Sequence, residues 1–181
     1  MRIIAGKYRS RKLITLDGLK TRPTLDATKE AIFSSLGGYI PGYIVLDLFG
    51  GSGALSLESL SRGAKHAYIV DNNIDAINII KKNANSLKAT DDLTIIYGEY
   101  QKVLEKLKNM KFDLVFLDPP FRMKVIDELI EYLITNNMIA ENGYIMAEYP
   151  KEDIINKTYD GYRVKLCRTY SSSEVLILER E

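Results

Sequence analysis

Apolar residues along this chain fall into two kinds of run that alternate. Short continuous runs at Ile44 to Phe49, Ala67 to Val70, Leu93 to Tyr97, Phe112 to Leu117 and Tyr144 to Glu148 predict buried strands. Between them, apolar positions repeat at helical spacing. They span Leu55 to Leu60, Ile74 to Leu87 with Ile77, Ile80, Ala84 and Leu87 on one face, Val103 to Met110, and Val125, Ile126, Leu129, Ile130, Leu133 and Ile134. Alternation at this spacing predicts parallel βαβ units.

Both ends depart from the rhythm. Tyr162 to Leu166 and Val175 to Leu178 read as strands joined by polar, serine-rich sequence too short for a helical crossover, so they should pair antiparallel. Near the start, Thr24 is placed to cap a helix through Leu25, Ile32, Phe33 and Leu36, with Asp26 in its first turn and Gly37-Gly38 as its stop. The expected class is α/β: a mainly parallel seven-stranded sheet closed by an antiparallel C-terminal hairpin. Residues 1–40 form a basic arm and helix, and residues 41–181 form the sheet domain.

Composition narrows the class. The 181 residues, 46% of them apolar, suffice for one full core and a small appendage. No apolar run reaches membrane-spanning length and the start lacks the apolar core of a signal peptide, so a cytoplasmic protein is expected. One cysteine, Cys167, cannot close an internal disulfide, and one histidine, His66, cannot build a zinc site with it, so no metal is expected. Cys167 reads as a small buried apolar residue and His66 as structural.

The net charge of +1 is unevenly spread. Residues 1–22 carry seven basic side chains against one acid, Asp17, which leaves the remainder at −5. Arg2, Lys7, Arg9, Arg11, Lys12 and Arg22, interleaved with Tyr8, suit a phosphate backbone, although a solvated segment would look the same. Tyr8 and Tyr170 serve equally as stacking or packing residues. Such an arm is also open to folding only when RNA binds.

Two motifs carry chemistry. The first strand ends in Asp47-Leu-Phe49-Gly50-Gly51-Ser52-Gly53, and Asp71 closes the second strand, 18 residues after Gly53. Glycines let a ligand approach the backbone at a helix start, and an acid after the second strand can accept ribose hydroxyls. No Gly-Lys-Ser/Thr follows, which excludes a P-loop. The run departs from Gly-x-Gly-x-x-Gly because Ser56 stands at the last position, which weakens a dinucleotide reading and leaves an NAD-dependent oxidoreductase as the lesser alternative. An acid before the turn, Asp47, suits a cationic ligand such as S-adenosylmethionine.

The fourth strand ends in Asp118-Pro119-Pro120-Phe121. A carboxylate that accepts hydrogen bonds, prolines that fix the backbone while removing amide donors, and a ring that stacks suit a planar base with an exocyclic amino group. Prolines that merely end a strand are the plain alternative.

These motifs resemble those of class I, Rossmann-like methyltransferases acting on exocyclic amino groups. The start, Met1-Arg-Ile-Ile-Ala-Gly6-Lys7-Tyr8-Arg9-Ser-Arg11-Lys12-Leu13, with Thr21-Arg22-Pro23-Thr24 and Lys29-Glu30-Ala-Ile-Phe33, is similar to the bacterial RsmD family of small-subunit rRNA guanine-N2 methyltransferases. The resemblance covers essentially the whole chain. It implies S-adenosylmethionine as cofactor, leaving as S-adenosylhomocysteine, held by Asp47, Phe49, Gly50, Gly51, Ser52, Gly53, Asp71, Asn72, Glu99 and Asp118. Glu99 stands where family members commonly have a shorter acid. Asp118 and the Pro119 carbonyl would accept the amino hydrogens, with Pro120 shaping the turn and Phe121 stacking on the base. The implied partner is 16S rRNA in the small subunit, with neighbouring ribosomal proteins, met by a monomer. Adenine or cytosine in DNA or another RNA keeps the same chemistry, and a non-enzymatic RNA-binding module would use the arm alone. Ser171 replaces a family-like glycine, and the loop from Ser171 to Ser173 is given no role.

Overall fold

The computed structural model describes residues 1–16 and 23–181, with backbone alone at 23–25. The expectations for Asp17, Lys20 and Arg22 lie outside the described residues. Among the described residues, five α-helices, α1 (Pro23–Ser35), α2 (Ala54–Ser61), α3 (Ile74–Leu87), α4 (Tyr100–Leu107) and α5 (Ile126–Thr135), join seven strands. These are β1 (Ile44–Asp47), β2 (His66–Asp71), β3 (Leu93–Tyr97), β4 (Phe112–Leu117), β5 (Ile139–Pro150), β6 (Tyr162–Thr169) and β7 (Ser173–Arg180).

The strands form one sheet in the order β3-β2-β1-β4-β5-β7-β6. The first five are parallel, while β7 inserts antiparallel between β5 and β6. Strand order reverses at β1 and β4, so their carboxyl ends frame the crevice where open α/β sheets bind ligands. Both faces are covered, which explains unbroken runs such as Phe112 to Leu117. One face buries Val45, Leu114, Phe116 and Met146 against α1 and α2 residues such as Phe33 and Leu57. The other buries Leu46, Val115, Leu117 and Ile145 against Leu129, Ile130 and Leu133 of α5. Phe33 and Phe116 meet edge to face at 6.2 Å, and truncating either would cost about 3–5 kcal/mol.

Several boundaries move. α1 begins at Pro23, so Thr24 lies inside the helix and proline takes the first turn, where its missing amide hydrogen costs nothing. α4 starts three residues before Val103, at Tyr100, with Glu99 at its N-cap position. The hairpin strands are longer than their apolar runs because β6 is an edge strand whose outer residues are polar. Cys167 is corrected for the same reason: on that edge strand it is exposed, with Lys157 Nζ 3.3 Å from Sγ. His66 is half-buried and bonded to Thr94 Oγ1 at 2.8 Å, as expected of a structural histidine.

Residues 1–16 are folded against the domain. Arg2 and Lys12 form an antiparallel bridge, Ile3 donates its amide to the Arg11 carbonyl at 2.9 Å, and Ile3 and Leu13 enter the same core as Ile32 and Leu57. Gly6 turns the chain with φ +85°, and a Cβ there would lie 1.7 Å from the Ser61 carbonyl oxygen. The α2 residue Glu58, fully buried, accepts from the amides of Ile4 at 2.8 Å and Ala5 at 3.1 Å. Lys29 and Arg62, nearly as buried, pair with the same carboxylate at 3.2 and 2.8 Å. Burial displaces the protonated Lys29 ammonium and lowers its pKa, and Glu58 opposes that shift.

Candidate active site

The glycine loop leaves β1 at Asp47 and enters α2 at Ala54. Gly50 donates to the Val70 carbonyl at 2.8 Å, and a Cβ on Gly50 would stand 2.3 Å from Ile69 Cγ2, so the loop lies flat on β2. Gly51, at φ +56°, has open space where a Cβ would be, and its amide bonds Asp71 Oδ2 at 2.9 Å. The other Asp71 oxygen accepts from the Asn73 amide at 2.8 Å. Each oxygen keeps a second lone pair, so this anchored carboxylate can still receive hydroxyl donors.

Beside the loop opens a cavity of about 610 Å³. Of the residues singled out from the sequence, Phe49, Gly51, Asp71, Asn72, Asp118, Pro119, Pro120 and Phe121 line it. Gly50 and Gly53 belong to the loop but not to the cavity wall, and Gly53 occupies the N-cap position of α2 at φ +78°. Ser52 turns inward: its hydroxyl lies 3.9 Å from Met1 Sδ and its carbonyl accepts from Asn83 Nδ2 at 2.9 Å. Glu99 stands just outside, 3.3 Å from Asn72 Nδ2.

Asn73, Gly98, Tyr100, Arg122, Met123 and Leu16 also line the cavity. Tyr100 packs on Phe49 at 5.3 Å between ring centres. Asn83 was missed as well, although a polar residue in register with Ile80, Ala84 and Leu87 was a readable signal. It is buried, takes the Ile14 amide on Oδ1 at 2.8 Å and donates to the Ile14 and Ser52 carbonyls, each at 2.9 Å, joining arm, glycine loop and α3.

The corner after β4 is a short turn, Phe121–Met123, in which the Met123 amide bonds the Pro120 carbonyl at 2.9 Å. Pro119 is buried, whereas the Phe121 ring is 41% exposed at the mouth, a geometry that suits stacking. Burial first, then the charges of Glu148 and Asp47, push Asp118 well above the usual carboxylate range.

Asp47 is buried behind the cavity. The Ser56 hydroxyl bonds Oδ2 at 2.9 Å, and Oδ1 has no hydrogen-bond partner. Burial raises its pKa to about 6 against the pull of Ser56 and the Phe49 amide. An orphaned buried carboxylate oxygen, open space over Gly51 and a doubly anchored Asp71 together fit a ligand with a cationic centre and a ribose. Asp47 would balance the cation, and Asp71 would take the hydroxyls.

The arm brings Arg2, Lys7, Arg9, Arg11 and Lys12 to the surface, all exposed. Arg2 pairs with Asp26 at 3.5 Å, Lys7 with Asp92 at 3.3 Å, and Arg11 donates to the Ser86 carbonyl at 2.7 Å. Tyr8 and Tyr170 are half-buried against the core.

Comparison with known proteins sharpens this picture. The family model described as "Conserved hypothetical protein 95" matches residues 1–179. "Putative rRNA methyltransferase YlbH" of Bacillus subtilis is 34% identical over 99% of both chains. The "Ribosomal RNA small subunit methyltransferase D" of Haemophilus influenzae is 38% identical over 84% of this chain and 80% of its own. A solved Escherichia coli structure titled "Putative methyltransferase yhhF" superposes with a TM-score of 0.86 at 31% identity, covering 100% of this chain and 98% of the other. From its arm to its closing hairpin, the chain belongs to the family of ribosomal RNA small subunit methyltransferase D.

Proposed function

We propose that this protein transfers a methyl group from S-adenosylmethionine to the exocyclic N2 of one guanine in 16S rRNA, within the assembled 30S subunit. The named relatives support rRNA methylation with this cofactor. The observation that carries the reading is the Asp118-Pro-Pro-Phe121 corner, set in the wall of the same cavity that Gly51 and Asp71 line.

When bound, the cofactor supplies an electrophilic methyl on a sulfonium that departs as a neutral thioether. The chain's residues do the remaining work. A guanine amino group is a poor nucleophile because its lone pair is delocalised into the ring, so its nitrogen must be held in line. The Asp118 carboxylate and the Pro119 carbonyl accept its two hydrogens while Phe121 stacks on the ring. Alignment of this kind contributes on the order of 7 kcal/mol or more to lowering a barrier. Asp118 orients first and takes a proton late or not at all, and its raised pKa suits taking one. The base must leave its stack, which is cheapest in a loop or junction already partly unpaired.

Arg2, Lys7, Arg9, Arg11 and Lys12 grip phosphates around that base. Residues 1–40 serve as the RNA-gripping extension of a monomer that works in the cytoplasm, with neighbouring ribosomal proteins completing the docking surface. No described helix is long and apolar enough to cross a membrane.

The test is transfer of labelled methyl to 30S subunits lacking the modification, compared with naked rRNA and DNA. Label on a single guanine N2, reduced at least about 10³-fold by Asp118→Ala with cofactor affinity nearly unchanged, is expected. Label on DNA or on adenine would overturn the assignment.

A further inference from the structure

Glu148 does not line the cavity beside the glycine loop, yet it stands beside the proposed catalytic corner. β4 and β5 run parallel with Leu117 opposite Ala147, so Asp118, the first residue past β4, and Glu148, the next on β5, come side by side, close enough for their charges to interact. Leu117 and Ala147 pack on the α5 face, while Phe116 and Met146 pack on the α1 and α2 face. Alternation along each strand then puts Asp118 and Glu148 together on the α1 side of the sheet, at its carboxyl edge.

Glu148 is half-buried and fixed from β7, where the Ser173 hydroxyl bonds Oε1 at 2.7 Å. It lies one strand further than Asp118 from the glycine loop. A base that presents its amino group to Asp118 while leaving the cofactor's space clear extends toward β5 and meets Glu148.

We infer that Glu148 reads the N1–H of the target base and is the residue that selects guanine. Guanine presents two adjacent donors on its pairing edge, N1–H and the N2 amino group, which two adjacent carboxylates match. Adenine and cytosine present a ring-nitrogen acceptor beside their amino group, and that lone pair would face the Glu148 carboxylate. A site built to bond a donor rejects analogues lacking it, because its buried polar group is left unpaired. Burial and then the like charge of Glu148 raise Asp118, and two N–H donors from the base would stabilise the ionised pair.

This inference rests on the base-methylation reading, and a substrate analogue separates the two. 2-Aminopurine keeps the reactive amino group and replaces N1–H with an acceptor. Small subunits are reconstituted with guanine or 2-aminopurine at the position the wild-type enzyme labels. Wild type should prefer guanine by at least about 100-fold in kcat/KM. Glu148→Gln, whose amide can both donate and accept, should reduce that ratio to about 10-fold or less while binding S-adenosylmethionine as wild type does, which also shows that it folds. Ser173→Ala, which frees the carboxylate to turn, should lower guanine transfer several-fold and leave a preference for guanine. An unchanged ratio in Glu148→Gln overturns the inference and leaves the methyltransferase reading standing. Failure of the wild type to label guanine at all overturns both.

Discussion

Asp47 and Glu58 are both carboxylates removed from water, and α2 serves each of them, yet they sit in opposite environments. Glu58 faces two backbone amides and two cations, and both of its oxygens are engaged. Asp47 has one serine hydroxyl, the pull of the Phe49 amide, and an oxygen with no partner. The first is what a buried charge needs if it is to hold a structure together. The second is an arrangement in which burial pushes the carboxyl up to about 6, the kind of perturbed acid that clusters at functional sites.

The largest departure should come from breaking the satisfied acid. Glu58→Ala leaves Lys29 and Arg62 buried without their carboxylate and should cost about 3–5 kcal/mol in urea unfolding. It should also make residues 1–16 cleavable by protease.

Asp47 should show the opposite sign. Because folding raises its pKa from 3.8 to about 6, the native state binds the proton more tightly, and stability falls as pH rises through that window. Glu174 is held down to about 2, mainly by Lys157 and Tyr149, and loses its contribution only as pH falls from 4.5 toward that value. Between pH 4.5 and 7 the Asp47 contribution alone is then a loss of about 2 kcal/mol. Asp47→Asn should remove most of it, leaving the empty protein more stable at pH 7 and a poorer binder of S-adenosylmethionine by calorimetry. A variant less stable at pH 7 would show that the orphaned oxygen costs nothing.

Asn83→Ala tests whether the satisfied region and the site are one unit. Losing the bonds to Ile14 and Ser52 should cost about 1–3 kcal/mol and lower cofactor affinity through the glycine loop. Stability lost with affinity intact would separate them. The smallest change in stability should be that of Lys7→Ala, within about 0.5 kcal/mol, because its pair with Asp92 is solvent-exposed. Its binding to 30S subunits should nevertheless weaken, with a shallower dependence on salt.

The sequence made the alternating elements, the glycine loop and the Asp118 corner legible because each obeys a local rule: a run, a turn or a spacing. Glu58 and Glu148 obeyed none. Each is a single acid in an ordinary element, and its meaning comes from chain more than 50 residues away for Glu58 and from the strands on either side for Glu148. The fold of the arm was hidden for a related reason. Its basic residues suggested a solvated strand of charge, while Ile3, Gly6 and Leu13 carry the contacts that fold it. Cys167 misled in the other direction, since a residue type usually buried falls on an edge strand.

That edge strand has a consequence for how the molecule behaves in a crowd. β6 closes the sheet on one side and presents an unpaired row of backbone donors and acceptors, the kind of surface that recruits a second chain. Arg163, Lys165 and Arg168 stand along it, and Glu179 on β7 engages Arg163 at 2.8 Å and Lys165 at 3.2 Å. An approaching copy pairing along β6 would bring the same cations against these, the charged edge that discourages a further strand from adding to the sheet.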